Sequence, residues 1–452
     1  MLDHETTAII LAAGLGTRMK SSRPKAMHSI AGQPMINLLI SSILDAGIKD
    51  IVTVIGVGME DVQNTVFPHK TIIQEKRLGT GHAALEAVKK IKNLNKNIMV
   101  FNCDTPIISA QTIQDLGHAL KHDPDTKIAI LGFRSANPDA YGRLVLNSEG
   151  EIEQIVEAKD ASPSELSINL CSAGIMNISS DVVLNLLKKI KNNNSQNEFY
   201  LSDIVKIAQS SGIKCCMIEG PESQLLGINS RSELAEAELV FQKQLRTKAM
   251  AEGATLIDPQ TVWFNWDTKL GRDVMIEPNV FFGPDVEIGD NVEIRSFSYI
   301  SGTKVGNNST IGPFARLRPE STIKEGGRIG NFVEIKNANI GKNAKLNHLS
   351  YVGDATVGTR GNIGAGTITC NYNGVFKSKT FIGDDAFIGS NTSLVAPVTI
   401  GPGAIVGAGS VITEDVEANA LALERADLRK IKGGARRQRN RLVSSNKARG
   451  KS

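Results

Sequence analysis

A glycine-rich run near the N-terminus contains the residue types that bind phosphate groups. Residues 11–19 read LAAGLGTRM, and Lys25 follows shortly after a proline. Glycines let backbone N–H groups approach a polyphosphate closely, and Arg18 and Lys25 would add cations. The run is neither GxGxxG, because Met19 stands at the last glycine position, nor a P-loop. We expect a nucleotide-phosphate site here; a glycine-rich turn without a ligand is the alternative.

A second group of chemically able residues lies in the C-terminal half. Arg316, Arg318, Lys336, His348 and Tyr351 fall within a short stretch of chain. Histidine ionises near neutral pH, so His348 is the candidate general base. A surface histidine on an inert scaffold is the alternative.

The first 230 residues alternate short apolar runs with helical patterns. This alternation predicts a mostly parallel sheet covered on both faces, because such strands are apolar throughout. Pro34–Ala46, Gly81–Lys92 and Arg231–Met250 are the clearest predicted helices. The predicted strands are Thr7–Leu11, Ile51–Ile55, Thr71–Ile73, Ile98–Phe101 and Lys127–Leu131.

After residue 253 an aliphatic residue recurs at every sixth position. The series runs from Leu270 to Ile300, from Ile311 to Ile335 and from Ile382 to Ile412, often with glycine next. This period predicts a parallel β-helix, in which each short strand stacks on the coil below. The stretch Ile368–Thr380 interrupts the period and predicts a loop projecting from one face.

The composition argues against a secreted protein, a membrane-spanning protein and a disordered chain. The chain has 452 residues, 41% hydrophobic, without a run of about 20 apolar residues or a signal peptide. The five cysteines, Cys103, Cys171, Cys215, Cys216 and Cys370, form neither a disulfide framework nor a CxxC motif, which predicts a cytoplasmic location. The stretch from Arg425 to the end has eleven Lys and Arg and one Asp, so the basic character belongs to an aperiodic tail, expected to be mobile.

The motifs together resemble a known bacterial family. LAAGxGTRM and Pro24-Lys25, with further matches at Gln74, residues 78–82, Asp104, residues 141–143, Val156-Glu157 and Asn229, resemble nucleotidyltransferases that make nucleoside diphosphate sugars. Joined to a hexapeptide half, residues 7–425 resemble the bifunctional GlmU family: N-acetylglucosamine-1-phosphate uridyltransferase with glucosamine-1-phosphate N-acetyltransferase. The resemblance implies a Rossmann-like α/β nucleotidyltransferase domain (1–230), a linker helix (231–252), a left-handed β-helix (253–425) and a tail (426–452).

The resemblance also implies roles for residues of the first half. Asp104 and Asn229 would hold Mg²⁺, whose remaining ligands are usually water and substrate phosphates. Helix capping is the alternative for Asp104. Ser172 stands where the family has Asn, and we leave its role open; Cys103 is expected to be a packed bystander within the site. The residues implied to bind nucleotide or sugar are Leu11, Ala12, Ala13, Gly14, Arg18, Lys25, Gln74, Gly79, Thr80, Asn102, Cys103, Asp104, Gly142, Glu157 and Asn229.

For the second half the resemblance implies direct acetyl transfer from acetyl-CoA, with His348 as base and no acyl-enzyme on Cys370. Arg318 and Lys336 would bind the sugar phosphate, with Tyr351 and Asn362 beside the substrate. The implied acetyl-CoA residues are Ala365, Asn371, Tyr372, Ser390, Ala408 and Arg425. The family members are homotrimers with this site between subunits, and they supply precursor for peptidoglycan and lipopolysaccharide.

Two other functions remain open from sequence. The β-helix could serve only for oligomerisation or regulation beside a working nucleotidyltransferase. Alternatively, the basic tail could bind nucleic acid or a membrane surface. The tail has no aromatic residue and no amphipathic helical pattern, so we expect neither partner.

Overall fold

A computed structural model describes residues 5–121 and 123–449, which form two compact units. The first extends to Glu252 and includes Trp263–Thr268; the second comprises Gly253–Val262 and continues from Lys269. The helices of the first unit are α1 (Met35–Asp45), α2 (Glu60–Val66), α3 (Thr80–Lys90), α4 (Ala110–His118), α5 (Pro163–Leu166), α6 (Ser180–Leu187), α7 (Asp203–Ser210), α8 (Glu222–Leu225) and α9 (Arg231–Ala251).

A nine-stranded sheet forms the centre of the first unit, in the order β11-β7-β10-β6-β1-β4-β5, with β8 paired to β10 and β9 paired to β8. All five predicted strands are present. Its strands are β1 (Thr6–Leu11), β4 (Asp50–Gly56), β5 (Lys70–Gln74), β6 (Asn97–Asn102), β7 (Thr126–Arg134), β8 (Arg143–Leu146), β9 (Ile152–Val156), β10 (Leu170–Ser179) and β11 (Lys214–Glu219), apart from the small hairpin β2 (Ser29–Ile30) and β3 (Gln33–Pro34).

The sheet is mixed. β1 pairs in parallel with β4 and β6, as expected, but β10 runs antiparallel between β6 and β7. An apolar run carries no information about strand direction, so only the chain path could reveal this reversal. The sheet is mostly parallel around the site, and its β1 and β6 ends lie side by side.

Helices cover both faces of this sheet. Alternate residues of β1 enter different cores: Ile10 packs in a cluster with Leu39 of α1, whereas Ile9 packs in a cluster with Ala84 of α3. All four side chains are at least 99% buried. This arrangement follows from the period of two in a strand and holds the β1 end rigid.

The second unit is a parallel β-helix of short strands, as predicted. Each strand pairs with one 17 or 18 residues further on in the regular coils, so that Ile276 lies beside Ile294, and Ile294 beside Ile311. The strands are β12 (Thr255–Leu256), β13 (Lys269–Leu270), β14 (Met275–Ile276), β15 (Phe281–Phe282), β16 (Glu287–Ile288), β17 (Glu293–Ile294), β18 (Tyr299–Ile300), β19 (Thr303–Val305), β20 (Thr310–Ile311), β21 (Arg316–Leu317), β22 (Ser321–Ile323), β23 (Arg328–Asn331), β24 (Glu334–Ile340), β25 (Lys345–His348), β26 (Tyr351–Val357), β27 (Asn362–Ile363), β28 (Ile368–Cys370), β29 (Thr380–Ile382), β30 (Phe387–Ile388), β31 (Ser393–Val395), β32 (Val398–Ile400), β33 (Ile405–Val406), β34 (Val411–Ile412) and β35 (Leu421–Ala422).

The six-residue aliphatic series forms the interior of the β-helix. Ile294, Ile311 and Ile388 are fully buried, and Leu270, near one end, is the member with intermediate exposure. The predicted interruption forms a loop between β28 and β29. Within this loop Tyr372 and Lys377 form an isolated antiparallel β-bridge.

The basic tail contains the helix α10 (Gly434–Arg449), which was not predicted from the sequence. Its Arg, Ala, Gln and Lys content favours helix formation. Charged residues surround the helix, so it has no apolar face. Among the residues that the structure describes, no helix has the length and apolarity needed to span a bilayer.

Candidate active sites

A cavity of about 230 Å³ lies where β1 and β6 end. Ten of the predicted nucleotide residues line it, whereas Ala12 is 3% exposed and donates its backbone N–H to Val54 within the sheet. The predicted residues in the lining are Leu11, Ala13, Gly14, Lys25, Gln74, Gly79, Thr80, Asn102, Cys103 and Asp104.

The glycine-rich loop presents an open backbone to this cavity. No atom outside the adjoining residues lies within 4 Å of where a Gly14 side chain would start. Gly16 has φ of +63°, and a methyl group there would lie 2.7 Å from Lys25 Cβ. Glycine at position 16 therefore lets the loop turn closely around Lys25, whose ammonium is directed into the site.

The Lys25 ammonium joins the two predicted metal ligands. Its Nζ lies 2.5 Å from Asp104 Oδ2 and 2.6 Å from Asn229 Oδ1. Asn229 is fixed by the start of α9, where its backbone N–H donates to Glu233 Oε2 at 2.5 Å. Asp104 does not cap α4, since Ser109 has that role. Three distant parts of the chain therefore converge on one cationic position.

The donor set at this position suits a hard cation. One carboxylate and one amide oxygen are oxygen ligands of the kind that Mg²⁺ accepts together with water and phosphate oxygens. In residues 5–121 and 123–449, no cluster of three or more His, Cys, Asp or Glu side chains could hold a metal alone. Asp104 and Asn229 are thus two oxygen donors that fit Mg²⁺ when water and phosphate oxygens complete its ligands.

Gln74 is arranged as a hydrogen-bond acceptor. Its buried side chain directs Nε2 to Gly79 O at 3.2 Å and to His82 Nδ1 at 2.9 Å. Burial lowers the pKa of His82, and a neutral ring with Nδ1 as acceptor matches this contact. Both amide protons are thus engaged, which leaves Oε1 for a ligand.

Arg77 is a lining residue that sequence reasoning missed. Its Nε donates to Ala13 O at 2.8 Å, and its Nη2 donates to Val57 O at 3.2 Å. The guanidinium therefore connects the loops that follow β1 and β4, and it lies against the cavity. The pairing spans 64 residues of sequence, so no local motif could have revealed it.

A second cavity, of about 340 Å³, shares Thr80, Asn102 and Asp104 with the first. The predicted residues Arg18, Gly142, Glu157 and Asn229 line it, as does Ser172. The Ser172 hydroxyl accepts the Gly174 N–H at 3.2 Å, so it organises the wall at this position. The Gly227 N–H donates to the Tyr141 hydroxyl oxygen at 2.8 Å.

Glu157 is a partly buried carboxylate in the second cavity. Burial raises the pKa of Glu157, and the negative charge of Asp160 raises it further. The hydrogen bond that Ser202 Oγ donates to Glu157 Oε1 at 2.7 Å lowers this pKa and so opposes the rise. Burial and the charge of Glu157 also raise the pKa of Asp203. The Glu157 carboxylate gives the wall of the second cavity an acceptor for hydroxyl and amide N–H groups.

Cys103, which the sequence predicts to be a packed bystander, lies in the wall of the first cavity. Cys103 is 8% exposed within the apolar core, and burial raises its pKa to about 12. A thiol with such a pKa is not a nucleophile at neutral pH. All five cysteines are unpaired.

The β-helix brings Arg318, Lys336 and Lys377 together, and Arg316 pairs with the same carboxylate as Arg318. Arg318 Nη1 donates to Glu334 Oε1 at 2.9 Å, and Arg316 lies 3.7 Å from the other oxygen of Glu334. The ammonium of Lys377, and then Arg318, lower the pKa of Lys336. Lys377 belongs to the inserted loop and was absent from the predicted site. Like charges gathered in this way indicate a place for an anion.

His348 stands at the end of β25, exposed to solvent. Its Nδ1 lies 2.8 Å from Asn331 Oδ1 on the neighbouring coil. Tyr351 begins the next strand, and its ring covers Gly353, where a methyl group would collide with the Tyr351 hydroxyl. Asn362 is partly buried in β27, one coil further on.

The predicted acetyl-CoA residues fall into two groups. Ala365, Ser390 and Ala408 stack on successive coils: Asn391 N–H donates to Ala365 O and Gly409 N–H to Ser390 O, both at 2.8 Å. Asn371 is 8% exposed and donates to Asp354, so its amide nitrogen is occupied by the protein. The remaining two are exposed: Tyr372, whose hydroxyl donates to Gly374 O at 2.6 Å, and Arg425, whose guanidinium lies against Gly407.

An apolar ridge runs beside His348 along one corner of the β-helix. It consists of Phe297, Phe314, Phe332 and Leu349, one residue per coil, each 44–60% exposed. The rings stack with centroids 4.9 and 5.0 Å apart. Phe332 directly follows Asn331, and Leu349 directly follows His348, so the ridge adjoins the candidate site.

Comparisons with known proteins match both halves. A family model for MobA-like NTP transferase domains covers residues 8–159, and one for bacterial transferase hexapeptide repeats covers 267–302 and 379–414. "Bifunctional protein GlmU" of Paramagnetospirillum magneticum is 50% identical over 97% of this chain and 98% of its own. Proteins with the same name from Zymomonas mobilis (44% identical; 93% of this chain and 94% of its own) and Agrobacterium fabrum (42% identical; all of both chains) are also similar. The chain belongs to the GlmU family of bifunctional proteins.

Proposed function

We propose that this chain makes UDP-N-acetylglucosamine in two steps. The β-helix transfers an acetyl group from acetyl-CoA to glucosamine-1-phosphate, and the first unit then transfers uridylyl from UTP, releasing pyrophosphate. The observation that carries this proposal is the presence, in one GlmU-family chain, of two different sites. One is a cavity in which Lys25, Asp104 and Asn229 converge, and the other is a hexapeptide β-helix that carries His348 and a group of cations.

Uracil recognition is assigned to the first cavity. Gln74 Oε1 is the acceptor that its hydrogen bonds leave available, and uracil offers the N3–H donor. Cytosine has no proton at N3, so the same arrangement would disfavour it by leaving a buried acceptor unpaired. The phosphates would then follow the Gly14 backbone toward Lys25.

Uridylyl transfer joins a sugar phosphate to the α-phosphorus of UTP. The attacking phosphate oxygen forms a bond to this phosphorus while its bond to the pyrophosphate oxygen breaks. Lys25 and Arg18 would neutralise and align the two anions, which is positioning and electrostatic work. Mg²⁺, held by Asp104 and Asn229 when bound with the nucleotide, would add positive charge to the phosphates.

The amino sugar is assigned to the second cavity. Glu157 and the Gly142 backbone would accept and donate hydrogen bonds to its hydroxyl and amide groups. Asp104, on the wall shared by the two cavities, marks the junction at which the sugar phosphate meets the nucleotide.

Acetyl transfer is assigned to the β-helix. Arg318, Lys336 and Lys377 would hold the phosphate of glucosamine-1-phosphate, with Tyr351 and Asn362 nearby. His348 Nε2 would take a proton from the amine as nitrogen attacks the thioester carbonyl and the CoA thiolate leaves. Acetyl-CoA would lie along Ala365, Ser390 and Ala408 and contact Tyr372 and Arg425; Asn371 would shape the loop through Asp354.

A homotrimer, with the acetyltransferase site between subunits, follows from the same proposal. The stacked ridge formed by Phe297, Phe314, Phe332 and Leu349 is an apolar surface of the kind that interfaces cover. Because His348 and Asn331 immediately precede two of its members, a subunit covering the ridge would also enclose the catalytic base.

The setting is assigned to the bacterial cytoplasm, where the five unpaired cysteines stay reduced. The product would serve peptidoglycan and lipopolysaccharide synthesis, and hence cell wall formation and cell shape. The tail helix has no apolar face and no aromatic residue, so we assign it no nucleic-acid or membrane partner.

The test is a product assay on purified full-length protein. Glucosamine-1-phosphate, acetyl-CoA, UTP and Mg²⁺ are supplied together, and products are identified by mass spectrometry. We expect UDP-N-acetylglucosamine, with CoA and pyrophosphate released in equal amounts. If pyrophosphate were released only when N-acetylglucosamine-1-phosphate was supplied, the β-helix would lack acetyltransferase activity and would serve only as a scaffold.

A further inference from the structure

The contact between Asn331 and His348 is built into the stacking of the β-helix. Asn331 ends β23 and His348 ends β25, and the two residues are paired directly across these parallel strands. In the same strands the paired Ile329 and Leu346 are 1% and 0% exposed. These buried neighbours fix the register, so the amide and the imidazole are held face to face at 2.8 Å.

The orientation of this contact selects one form of the neutral imidazole. Asn331 presents its carbonyl oxygen, which can only accept, so His348 Nδ1 must carry the proton. A neutral ring then has its lone pair on Nε2. Nε2 is therefore able to receive a proton, whereas the opposite tautomer would direct an N–H at the substrate.

We propose that Asn331 is a positioning residue for acetyl transfer: it holds His348 in the Nδ1–H tautomer and in a fixed ring orientation. The inference rests on the proposed function of His348 as base. In the step, the amine N–H bond breaks as the proton moves to Nε2, and nitrogen bonds to the thioester carbon. The C–S bond then breaks, and the electron pair leaves with sulfur, so no other reactant is needed.

Stability does not account for this contact. The pair lies at the surface, where one hydrogen bond adds little because water competes for both groups. The charged or titratable side chains at neighbouring positions are Arg328 and Lys345, which pair three residues earlier in the same strands, and Glu334 and Tyr351, which pair with each other three residues later in β24 and β26. The Asn331 amide is the group that contacts the imidazole, and it has no charge of its own.

The test compares Asn331→Ala, Asn331→Asp and the control Asn347→Ala, which removes an amide from the same strand as His348. Acetyl transfer is followed by CoA release from about pH 5.5 to 9, a range that spans the ordinary histidine pKa, with KM measured for both substrates. For Asn331→Ala we expect kcat to fall about 10- to 100-fold with both KM values within about twofold, since a base contributes about 10²–10⁴-fold in all. Asn347→Ala should behave as the unsubstituted protein.

The carboxylate variant provides the signature that a merely structural role would not produce. The new carboxylate oxygen still accepts from Nδ1–H, so Asn331→Asp should recover most of the rate at high pH. Its negative charge favours the imidazolium, so the acidic limb of the pH profile should move to higher pH. Because Asn331 and His348 lie in the second unit, the thermal unfolding transition and the sedimentation of each preparation report whether the β-helix of that variant has folded.

Each outcome decides the inference. If Asn331→Ala keeps its full rate and both variants keep the acidic limb unchanged, Asn331 does not position the base. If Asn331→Ala misfolds, the pH profile of Asn331→Asp decides: an acidic limb at higher pH supports the positioning role, and an unchanged limb contradicts it. His348→Ala separates this failure from failure of the proposed function: retained acetyl transfer in that variant would remove His348 as base altogether.

Discussion

Lys25 Nζ lies 2.5 Å from Asp104 Oδ2, and the same ammonium lies 2.6 Å from Asn229 Oδ1. A lysine side chain therefore stands between the two residues assigned to Mg²⁺. When nucleotide and metal enter, this ammonium would exchange its carboxylate and amide partners for phosphate oxygens.

Lys25→Met should separate metal affinity from catalysis. Removing the ammonium leaves Asp104 with more negative potential, so the Mg²⁺ concentration for half-maximal rate should fall. Loss of the phosphate contact should raise KM for UTP and lower kcat, so that kcat/KM falls about 100-fold, in line with loss of one electrostatic contact. Pyrophosphate release measured against Mg²⁺ and UTP concentration tests both.

The control is Lys92→Met, which removes an exposed lysine just after α3. An unchanged or higher Mg²⁺ requirement in Lys25→Met would show that the ammonium does not compete for this position.

Arg77→Ala should weaken UTP binding. Its guanidinium ties Ala13 O to Val57 O, so its loss frees the phosphate loop to move away from the nucleotide. We expect KM for UTP to rise about 10-fold, about 1.4 kcal/mol, with acetyl transfer unaffected. Lys76→Ala, at an exposed neighbouring position, is the matched control. Equal KM values in the two variants would exclude the positioning role of Arg77.

Glu157→Gln should stabilise the protein while impairing the sugar site. Burial raises the folded-state pKa of Glu157 above its ordinary 4.5, so its charge opposes folding. The penalty is absent below about pH 4.5 and grows as pH rises through the folded-state pKa. The variant should therefore unfold about 1–3 °C higher at about pH 7, and this gain should disappear near about pH 4.

The same variant should bind N-acetylglucosamine-1-phosphate more weakly. Glutamine still accepts from Ser202, but it loses the charged acceptor offered to the sugar. KM for this substrate should rise at least about 10-fold, since hydrogen bonds to charged groups contribute about 1.5–3 kcal/mol. A variant with higher melting temperature and unchanged KM would remove Glu157 from the sugar site.

Phe314→Glu should dissociate the proposed trimer. The substitution places a charge in the middle of the apolar ridge, between Phe297 and Phe332. Sedimentation should show monomers, and acetyl transfer should fall with trimer loss while uridylyl transfer persists. Phe67→Glu, at a phenylalanine that is 79% exposed in the first unit, should leave assembly intact. If the Phe314→Glu protein remained fully trimeric, the apolar ridge would not be part of the trimer interface.

The regular part of the fold could be predicted because its signal is local. An aliphatic residue every sixth position placed Ile294, Ile311 and Ile388 in the β-helix interior, where all three are fully buried. The direction of β10 had no such signal, because an apolar strand has the same composition whichever way it runs.

Within the candidate sites, local motifs predicted residues that lie next to each other along the chain. Arg77 and Lys377 were not predicted as site residues, because their partners, Ala13 and Lys336, are distant in sequence. Asn331 escaped for a related reason: its link to His348 follows from the register of two coils rather than from a motif.

The central claim is that one chain has two chemically independent sites, and reciprocal variants test it most directly. His348→Ala should lose acetyl transfer about 10²–10⁴-fold and still make UDP-N-acetylglucosamine from N-acetylglucosamine-1-phosphate. Asp104→Asn should acetylate normally and accumulate N-acetylglucosamine-1-phosphate. Mixing the two proteins with glucosamine-1-phosphate, acetyl-CoA, UTP and Mg²⁺ should restore the nucleotide sugar. A mixture that remains inactive, or a His348→Ala protein that still acetylates, would contradict the account.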